Sequence, residues 1–164
     1  GPMGPPGLEG PTGPPGPPGL AGGGVAQAAG ESGVDVNIDT AGVWFVVAEE
    51  TVSVEGPGTV LAIGSVTILS EPNVFPGVGL GVGAGATAPD TVVATLGVKG
   101  AGLSANGFQV NSMATIHGTA EVADGPQTVT FRMFVRKDGP AAGNSVETTS
   151  DYLTLLFVPN AAAP

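Results

Sequence analysis

After residue 30, apolar and polar residues alternate with a period of two, which is the pattern of half-buried β-strands. In the segment "ETVSVEG" (residues 50–56), two valines alternate with threonine, serine and glutamate. A "GPG" turn at residues 56–58 leads into residues 59–69, which are almost wholly apolar and predict a strand buried on both faces. The pattern therefore predicts strands rather than helices.

Further β-rich segments follow at short intervals, and they are residues 90–98, 112–123, 127–135 and 151–159. Turn signals separate them, at residues 124–127, 137–140 and 141–145. The glycine-rich residues 74–90 predict one strand of small residues followed by a loop. Since no segment keeps a helical period, we expect an all-β fold, a jelly-roll β-sandwich of about eight to ten strands.

The start of the chain follows a different period, with glycine at every third position. These glycines are Gly1, Gly4, Gly7, Gly10, Gly13, Gly16 and Gly19, with proline in most of the triplets. Three polyproline-like chains can wind together only if the residue at the crowded axis lacks a side chain. A disordered Pro/Gly linker is the alternative, but a linker needs no fixed phase. Residues 1–21 therefore predict a collagen-like triple helix, and with it a parallel homotrimer.

These patterns divide the chain into four parts. Residues 1–21 form the triple helix, residues 22–32 a flexible Gly/Ala junction, residues 33–160 a trimeric β-sandwich head, and residues 161–164 a C-terminal tail. Seven triplets are marginal as an isolated triple helix. We therefore expect the head to hold the three chains in register.

Charge and composition exclude several classes of partner. The 164 residues include 14 acids and only four bases, giving a formal net charge of −10. Nucleic acids, heparin and anionic membranes need a basic patch, which this supply does not provide. The longest apolar run, residues 41–48, is far shorter than the roughly 20 residues that span a bilayer, so we expect no membrane insertion. The absence of cysteine excludes disulfides and thiolate metal sites.

Three segments carry a resemblance to a known family. The segment "AGVWFVVAEETVSV" (residues 41–54) resembles the early strand of C1q/TNF-like jelly-roll domains, with Trp44 in the aromatic position. The segment "DYLTLLFVP" (residues 151–159) resembles their closing strand, and residues 117–135 resemble paired strands around a "DG" turn in bacterial and phage examples. With its Gly-X-Y start, the chain is most similar in plan to collagen-stalked trimeric proteins of bacteriophage fibres or tails and of bacterial surfaces.

The resemblance implies a role in a trimeric fibre. The chain has no cysteine, a single tyrosine and few lysines, which is unlike an animal complement protein and similar to the bacterial and phage examples. We expect a non-enzymatic virion fibre protein whose partner is a bacterial surface glycan or protein. A bacterial cell-surface or spore-coat protein is the first alternative, and a soluble C1q-like recognition protein is the second. The acidic charge argues against adhesion to anionic cell surfaces and favours the phage fibre.

The predicted closing strand has two apolar faces. One face carries Leu153, Leu155 and Phe157, and the other carries Tyr152, Thr154, Leu156 and Val158. We expect one burial inside the sandwich and a second between protomers, with Leu153, Leu155 and Phe157 as the trimer core. The alternative is a central sandwich strand with no role at the threefold axis.

Partner-binding residues are expected in the loops, since loops on a rigid scaffold often carry binding. The candidate segments are residues 77–90, 106–108 and 137–145. Within or beside them, the candidate contact residues are Phe75, Asn106, Phe108 and Asn144. The alternative for the two phenylalanines is that they cap the ends of the sandwich.

Little in the chain suggests catalysis or a cofactor, and we expect neither. His117 is the only histidine; three copies on a threefold axis could hold a metal, although a lone histidine in a strand is usually solvated. A serine–histidine–acid triad with Asp124 or Asp151 would lack the G-x-S-x-G turn that exposes the serine. Residues 35–40 begin like an EF-hand loop but lack its glycine and glutamate, so they predict an exposed strand face.

Two adjacent carboxylates, Glu49 and Glu50, are expected on opposite faces of a strand, which prevents them from working as an acid–base pair. We expect at least one of them to be solvated or paired with Arg132 or Arg136.

Overall fold

The computed structural model describes residues 1, 27–31, 36–70, 74–95, 110–124, 126–138 and 145–160. These residues form nine β-strands. The strands are β1 (Gln27–Glu31), β2 (Val36–Ile38), β3 (Trp44–Val54), β4 (Gly58–Ser70), β5 (Phe75–Val82), β6 (Thr91–Thr95), β7 (Val110–Val122), β8 (Gln127–Asp138) and β9 (Val146–Pro159). The predicted all-β class is confirmed for this part of the chain, in which no helix long and apolar enough to cross a membrane occurs.

The strands form two antiparallel sheets that share one core. The five-stranded sheet has the order β1-β9-β4-β7, with β2 also paired to β9, and the four-stranded sheet has the order β3-β8-β5-β6. Buried side chains from both sheets belong to a single hydrophobic cluster. The fold is therefore β-sandwich-like, as the period-two alternation predicted.

The strand pairs are nested along the chain. The first strand pairs with the last, β1 with β9; further in, β3 pairs with β8, β4 with β7, and β5 with β6. Two more pairs, β4 with β9 and β5 with β8, join neighbouring turns of this folded ribbon. The nested order places every long strand beside a strand that is distant in sequence.

Alternation along β4 shows how the core is built. Its even-numbered residues are buried and its odd-numbered residues are half-buried or exposed. One inward position is Gly64, where a Cβ would lie 2.7 Å from the Met133 Sδ of the opposite sheet. Glycine at this position leaves room for the fully buried Met133, and close packing of this kind stabilises one arrangement of the two sheets.

The register defines two ends of the sandwich. At the entry end, Gly58 lies opposite both Val122 and Pro159, and Gln27 pairs with Leu156 close by. At the far end, Ser70 lies opposite both Val110 and Val146, and Phe75 lies opposite Asp138. The strands that flank residues 71–73, 96–109 and 139–144 all terminate at the far end.

The first and the last strand differ from the sequence prediction. The predicted flexible junction, residues 22–32, includes β1, whose residues pair with β9 through the backbone. The closing strand begins at Val146 rather than at residue 151. Of the predicted triple helix, only Gly1 belongs to the described residues; the other repeat glycines and the tail at residues 161–164 lie outside them.

Candidate functional site

The outward side of the five-stranded sheet carries large apolar side chains. Exposed fractions reach 43% at Ile63, 72% at Met113, 48% at Tyr152 and 52% at Val158, while Leu61 and Leu156 are half-buried. We call these residues the outer apolar face: Leu61, Ile63, Met113, Tyr152, Leu156 and Val158.

The register brings these side chains into contiguous rows across β9, β4 and β7. Leu61 lies opposite both Leu156 and Thr119. In the next row, Ile63 lies opposite His117. Since directly opposite side chains in an antiparallel sheet are neighbours, Leu61 and Leu156 form an apolar pair, whereas Ile63, Met113, Tyr152 and Val158 each lie opposite threonine, serine or histidine. The outer apolar face therefore consists of large apolar side chains set among polar ones.

Charge is almost missing from this surface. Glu147 lies toward the far end and Glu121 toward the entry end. Between them, the described outward positions of β4, β7 and β9 carry no aspartate, glutamate, lysine or arginine. Glu121 accepts hydrogen bonds from the Thr59 hydroxyl at 3.1 and 3.2 Å. In a chain with 14 acids, an uncharged stretch that bears exposed apolar side chains is the candidate interaction surface.

The residues predicted as the trimer core lie on the inward side of β9. Leu153 and Leu155 are completely buried and Phe157 nearly so within a single chain, where they belong to the sandwich core. They are therefore not available to a second chain. The outward side of the same strand, with Leu156 and Val158, is the side that another protomer can reach.

A β-bulge explains how β9 arranges its faces. Between the pairs Ser65–Tyr152 and Thr67–Thr149, β9 places two residues opposite one residue of β4. The extra residue shifts the alternation. Thr148 is buried before the bulge, Asp151 is buried within it, and Leu153 is buried after it.

His117 lies exposed on the outward side of β7. Asp151 is buried on the inward side of β9, so the sheet separates this carboxylate from the imidazole and a triad of the two is not formed. Asp124 follows the end of β7, where its carbonyl accepts a hydrogen bond from the Gln127 side chain at 2.8 Å. Within the described ranges, no group of three histidine, aspartate or glutamate side chains is placed to hold a metal ion.

The outward side of the four-stranded sheet carries an aromatic cluster. The Trp44 and Phe134 rings meet edge to face with centroids 6.5 Å apart, and the Arg136 guanidinium carbon lies 4.6 Å from the Trp44 ring centroid. Arg136 also donates to Asp138 Oδ2 from Nη2 at 2.8 Å and from Nε at 3.1 Å. Within one chain, the Arg136 guanidinium thus contacts both the face of the Trp44 ring and the Asp138 carboxylate.

The glycine-rich segment supports this cluster rather than forming an open loop. Gly77, Gly79 and Gly81 lie on the outward side of β5, and residues 83–90 fold back over them. A Cβ at Gly79 would lie 2.6 Å from the Pro89 ring. The prediction of one strand followed by a loop in residues 74–90 is confirmed. Residues 77–82, which were part of a candidate partner-binding loop, belong to the strand.

Polar contacts hold the returning segment in place. Arg132 donates from Nη1 to the Gly83 carbonyl at 3.0 Å, and its Nε forms an ion pair with Glu49, as the sequence predicted. Asp90 Oδ2 accepts from the Val82 backbone N–H at 3.0 Å. Gly83 and Gly85 have positive φ angles of 105° and 84°, which glycine adopts without strain.

Two predicted loop residues lie in strands. Phe75 is the half-buried first residue of β5, opposite Asp138, and not a loop residue. Lys137, the first residue of a predicted loop, is fully buried in β8, where its Nζ donates to the Asp39 carbonyl at 3.0 Å. The remaining candidates, Asn106, Phe108 and Asn144, lie outside the described residues.

Replacing Gly79 by alanine is expected to displace residues 83–90 and to lower the free energy of unfolding by about 1–3 kcal/mol, because the new methyl group overlaps the rigid Pro89 ring. Amide hydrogen exchange within residues 83–90 would report the displacement. Gly77→Ala is the matched control, since its Cβ approaches nothing closer than 3.4 Å. Equal exchange in the two variants would contradict the supporting role of the glycines.

The chain matches no protein-family model, and comparison with curated proteins found none similar to it. The functional argument therefore rests on the two sheets. One outward surface carries ion pairs and is partly covered by residues 83–90, with Val46 still 43% exposed, whereas the other bears exposed Ile63, Met113, Tyr152 and Val158 and has no charged residue on β4.

Proposed function

We propose that this protein is a non-enzymatic, homotrimeric fibre protein of a bacteriophage virion, with a collagen-like stalk and a jelly-roll head. The observation that carries the proposal is the outer apolar face, because a face of this composition needs to be covered. The occupant we propose is a second copy of the same chain, repeated around a threefold axis.

The strand order supports a jelly roll. A jelly roll is a long antiparallel ribbon wound into two sheets, so its first strand pairs with its last and the inner strands pair in turn. The pairs β1–β9, β3–β8, β4–β7 and β5–β6 follow this order, and β2 is an addition beside β9. A C1q/TNF-like head is the finer form of this proposal.

The Gly-X-Y repeat supports three copies rather than two. A collagen-like rod needs three parallel chains, and three identical chains in a closed assembly are related by a threefold axis. The described part of the repeat's connection to the head is β1, whose Gln27 lies near the entry end. Three chains of one rod that enter their heads at the same end place three outer apolar faces around one axis.

The edge strand β7 supports contact between an edge and a face. Among the described residues, β7 pairs only with β4, and it is 13 residues long. Long unprotected edge strands invite pairing or aggregation, and native proteins cover them. Packing β7 of one protomer, with its Met113, against the β9 and β4 surface of the next covers edge and face together, and a contact of this heterologous kind closes into a ring.

We expect the full chain to sediment at three times its 15.8 kDa mass at micromolar concentration, and Ile63→Asp to sediment as a folded monomer. The aspartate places a charge in the middle of a contact that excludes water. Ser53→Asp, at an exposed position of the other sheet, is the matched control and is expected to remain trimeric. A native chain that sediments as a monomer would refute the proposal.

Attachment is proposed at the far end of the head. Asn106, Phe108 and Asn144 belong to connections whose flanking strands terminate there, opposite the end that β1 enters from. Three copies of a weak site on one rigid tip gain avidity on a densely covered cell envelope. A trimer charge of −30, three times −10, limits non-specific association with anionic surfaces.

The fibre role is tested by location and by binding. Antibody labelling is expected to mark fibre or tail tips of the virion, and fluorescently labelled full-length trimer is expected to bind host bacteria. Labelling of the bacterial surface or spore coat in place of the virion would favour the bacterial structural role. Binding that survives replacement of Asn106, Phe108 and Asn144 by alanine would exclude these residues as the contact.

A further inference from the structure

His117 is the one histidine on the outward side of the five-stranded sheet, where the register also places Glu121 on β7, Glu147 on β9 and Glu31 of β1, opposite Tyr152. It is exposed on β7 and lies directly opposite Ile63, in the middle of the strand. Histidine is the side chain that ordinarily changes charge between pH 5 and pH 8. It is also the only histidine of the chain.

No carboxylate faces His117 from the strands around it. The outward positions of β4 from residue 59 to residue 69 are uncharged, and so are those of β9 from residue 152 to residue 158. On β7 itself, Glu121 lies four residues away, about 13 Å along the strand, which exceeds the Debye length of about 8 Å at physiological salt. The strands β5 and β6 contact β7 from the other side, where Leu80 approaches Gly118.

We propose that protonation of His117 opens the trimer, so that the head assembles near neutral pH and separates in mild acid. This inference rests on the proposed trimer. When a second protomer covers the face, a neutral imidazole is enclosed at small cost, whereas an imidazolium loses its water without gaining a carboxylate. Since the trimer encloses three copies of His117, this free-energy cost is incurred three times.

Protonation of His117 also reduces the charge repulsion between protomers, and this opposing effect is weaker than the loss of hydration. Adding one proton per chain changes the trimer charge from −30 to −27, which lowers the long-range repulsion between protomers. Salt screens that repulsion over distances beyond the Debye length, while the local loss of hydration is screened far less. Acid therefore favours separation of the heads.

Methionine oxidation reports the opening in the full chain, independently of whether the stalk still holds the three chains together. Met113 lies on the outer apolar face and is 72% exposed in a single chain, whereas Met133 is fully buried in the sandwich core. Brief peroxide treatment followed by peptide mapping gives the oxidation rate of each. Met113 tests the interface, and Met133 tests whether the head remains folded.

The expected result is at least a tenfold rise in the Met113 oxidation rate between pH 8.0 and pH 5.5, with Met133 protected throughout. In His117→Gln the Met113 oxidation rate at pH 5.5 is expected to be close to its rate at pH 8.0. In His117→Lys, Met113 is expected to be oxidised fast at both pH values. Glu121→Gln is expected to keep the response of the native chain, which separates the imidazole from the nearest carboxylate of its strand.

The outcomes separate the two proposals. If native Met113 is protected equally at pH 8.0 and pH 5.5, or if His117→Gln responds as the native chain does, the histidine proposal is overturned and the trimer stands. If Met113 in the native chain is oxidised at pH 8.0 as fast as in Ile63→Asp, the trimer itself fails. Loss of Met133 protection in acid would assign the change to unfolding and would also overturn the proposal.

Discussion

Leu155→Asp is expected to abolish the folded head, whereas Leu156→Asp, one residue further along the same strand, is expected to leave it folded and to stop its assembly. Leu155 is completely buried in the sandwich core, and Leu156 is half-buried on the outward side. Burying a carboxylate without a partner costs several kcal/mol, and removing the leucine costs about 2–5 kcal/mol more. That sum is comparable to the whole stability of a small domain, about 5–15 kcal/mol.

The measurement combines urea unfolding followed by Trp44 fluorescence with sedimentation. Leu155→Asp should show no cooperative transition, and Leu156→Asp should show one at monomer mass. The reverse assignment, with a folded monomer from Leu155→Asp, would mean that β9 presents Leu153, Leu155 and Phe157 to the neighbouring chain after all.

Gly58→Ala is expected to be the most damaging single-methyl insertion, lowering the free energy of unfolding by about 1–3 kcal/mol. The added Cβ would lie 2.5 Å from the Val158 carbonyl oxygen and 2.6 Å from the Phe157 ring. A backbone atom cannot turn aside as a flexible side chain does, so the β4–β9 ladder must shift at the entry end.

Thermal unfolding of Gly58→Ala and Gly118→Ala tests this. Gly118 lies in the same sheet, but a Cβ there meets only the Leu80 side chain, at 3.4 Å. We expect a melting temperature several degrees lower for Gly58→Ala and a change near zero for Gly118→Ala. Equal melting temperatures would show that the ladder tolerates a side chain at its entry end.

Alternation alone predicts most of the strands because each has one side toward the core. Residues 59–69 and 127–135 were expected as strands and lie within β4 and β8. Which side of β9 turns inward was beyond this reasoning. Both sides of its second half are apolar, and the bulge near Asp151 changes the parity of the buried positions.

The missed elements lack a side-chain signal. β1 reads "QAAGE", which has no alternation, and it is held by its backbone pairing with β9. Lys137 stands beside a "DG" turn signal, yet it is buried because β8 continues to Asp138 and its ammonium group finds the Asp39 carbonyl. Such features depend on partners that are distant in sequence.

The candidate site was predicted in kind but not in its residues. Two sequence features indicated self-association, which stays a prediction: the Gly-X-Y repeat and the two apolar faces of the strand at residues 151–159. The outward residues of β4 and β7, above all Ile63 and Met113, were not singled out, since a strand that is apolar throughout does not reveal which of its sides meets solvent.

The antiparallel pairing of β1 with β9 determines how the head resists tension. A force that pulls residue 27 away from the far end acts along the axis of β1, while the hydrogen bonds to β9 lie across that axis. The five paired positions from Gln27 to Glu31 are then loaded together in shear, and none can fail before its neighbours. Peeling them one at a time requires a sideways pull, so the same short strand is a strong joint along its own axis and a weak one across it.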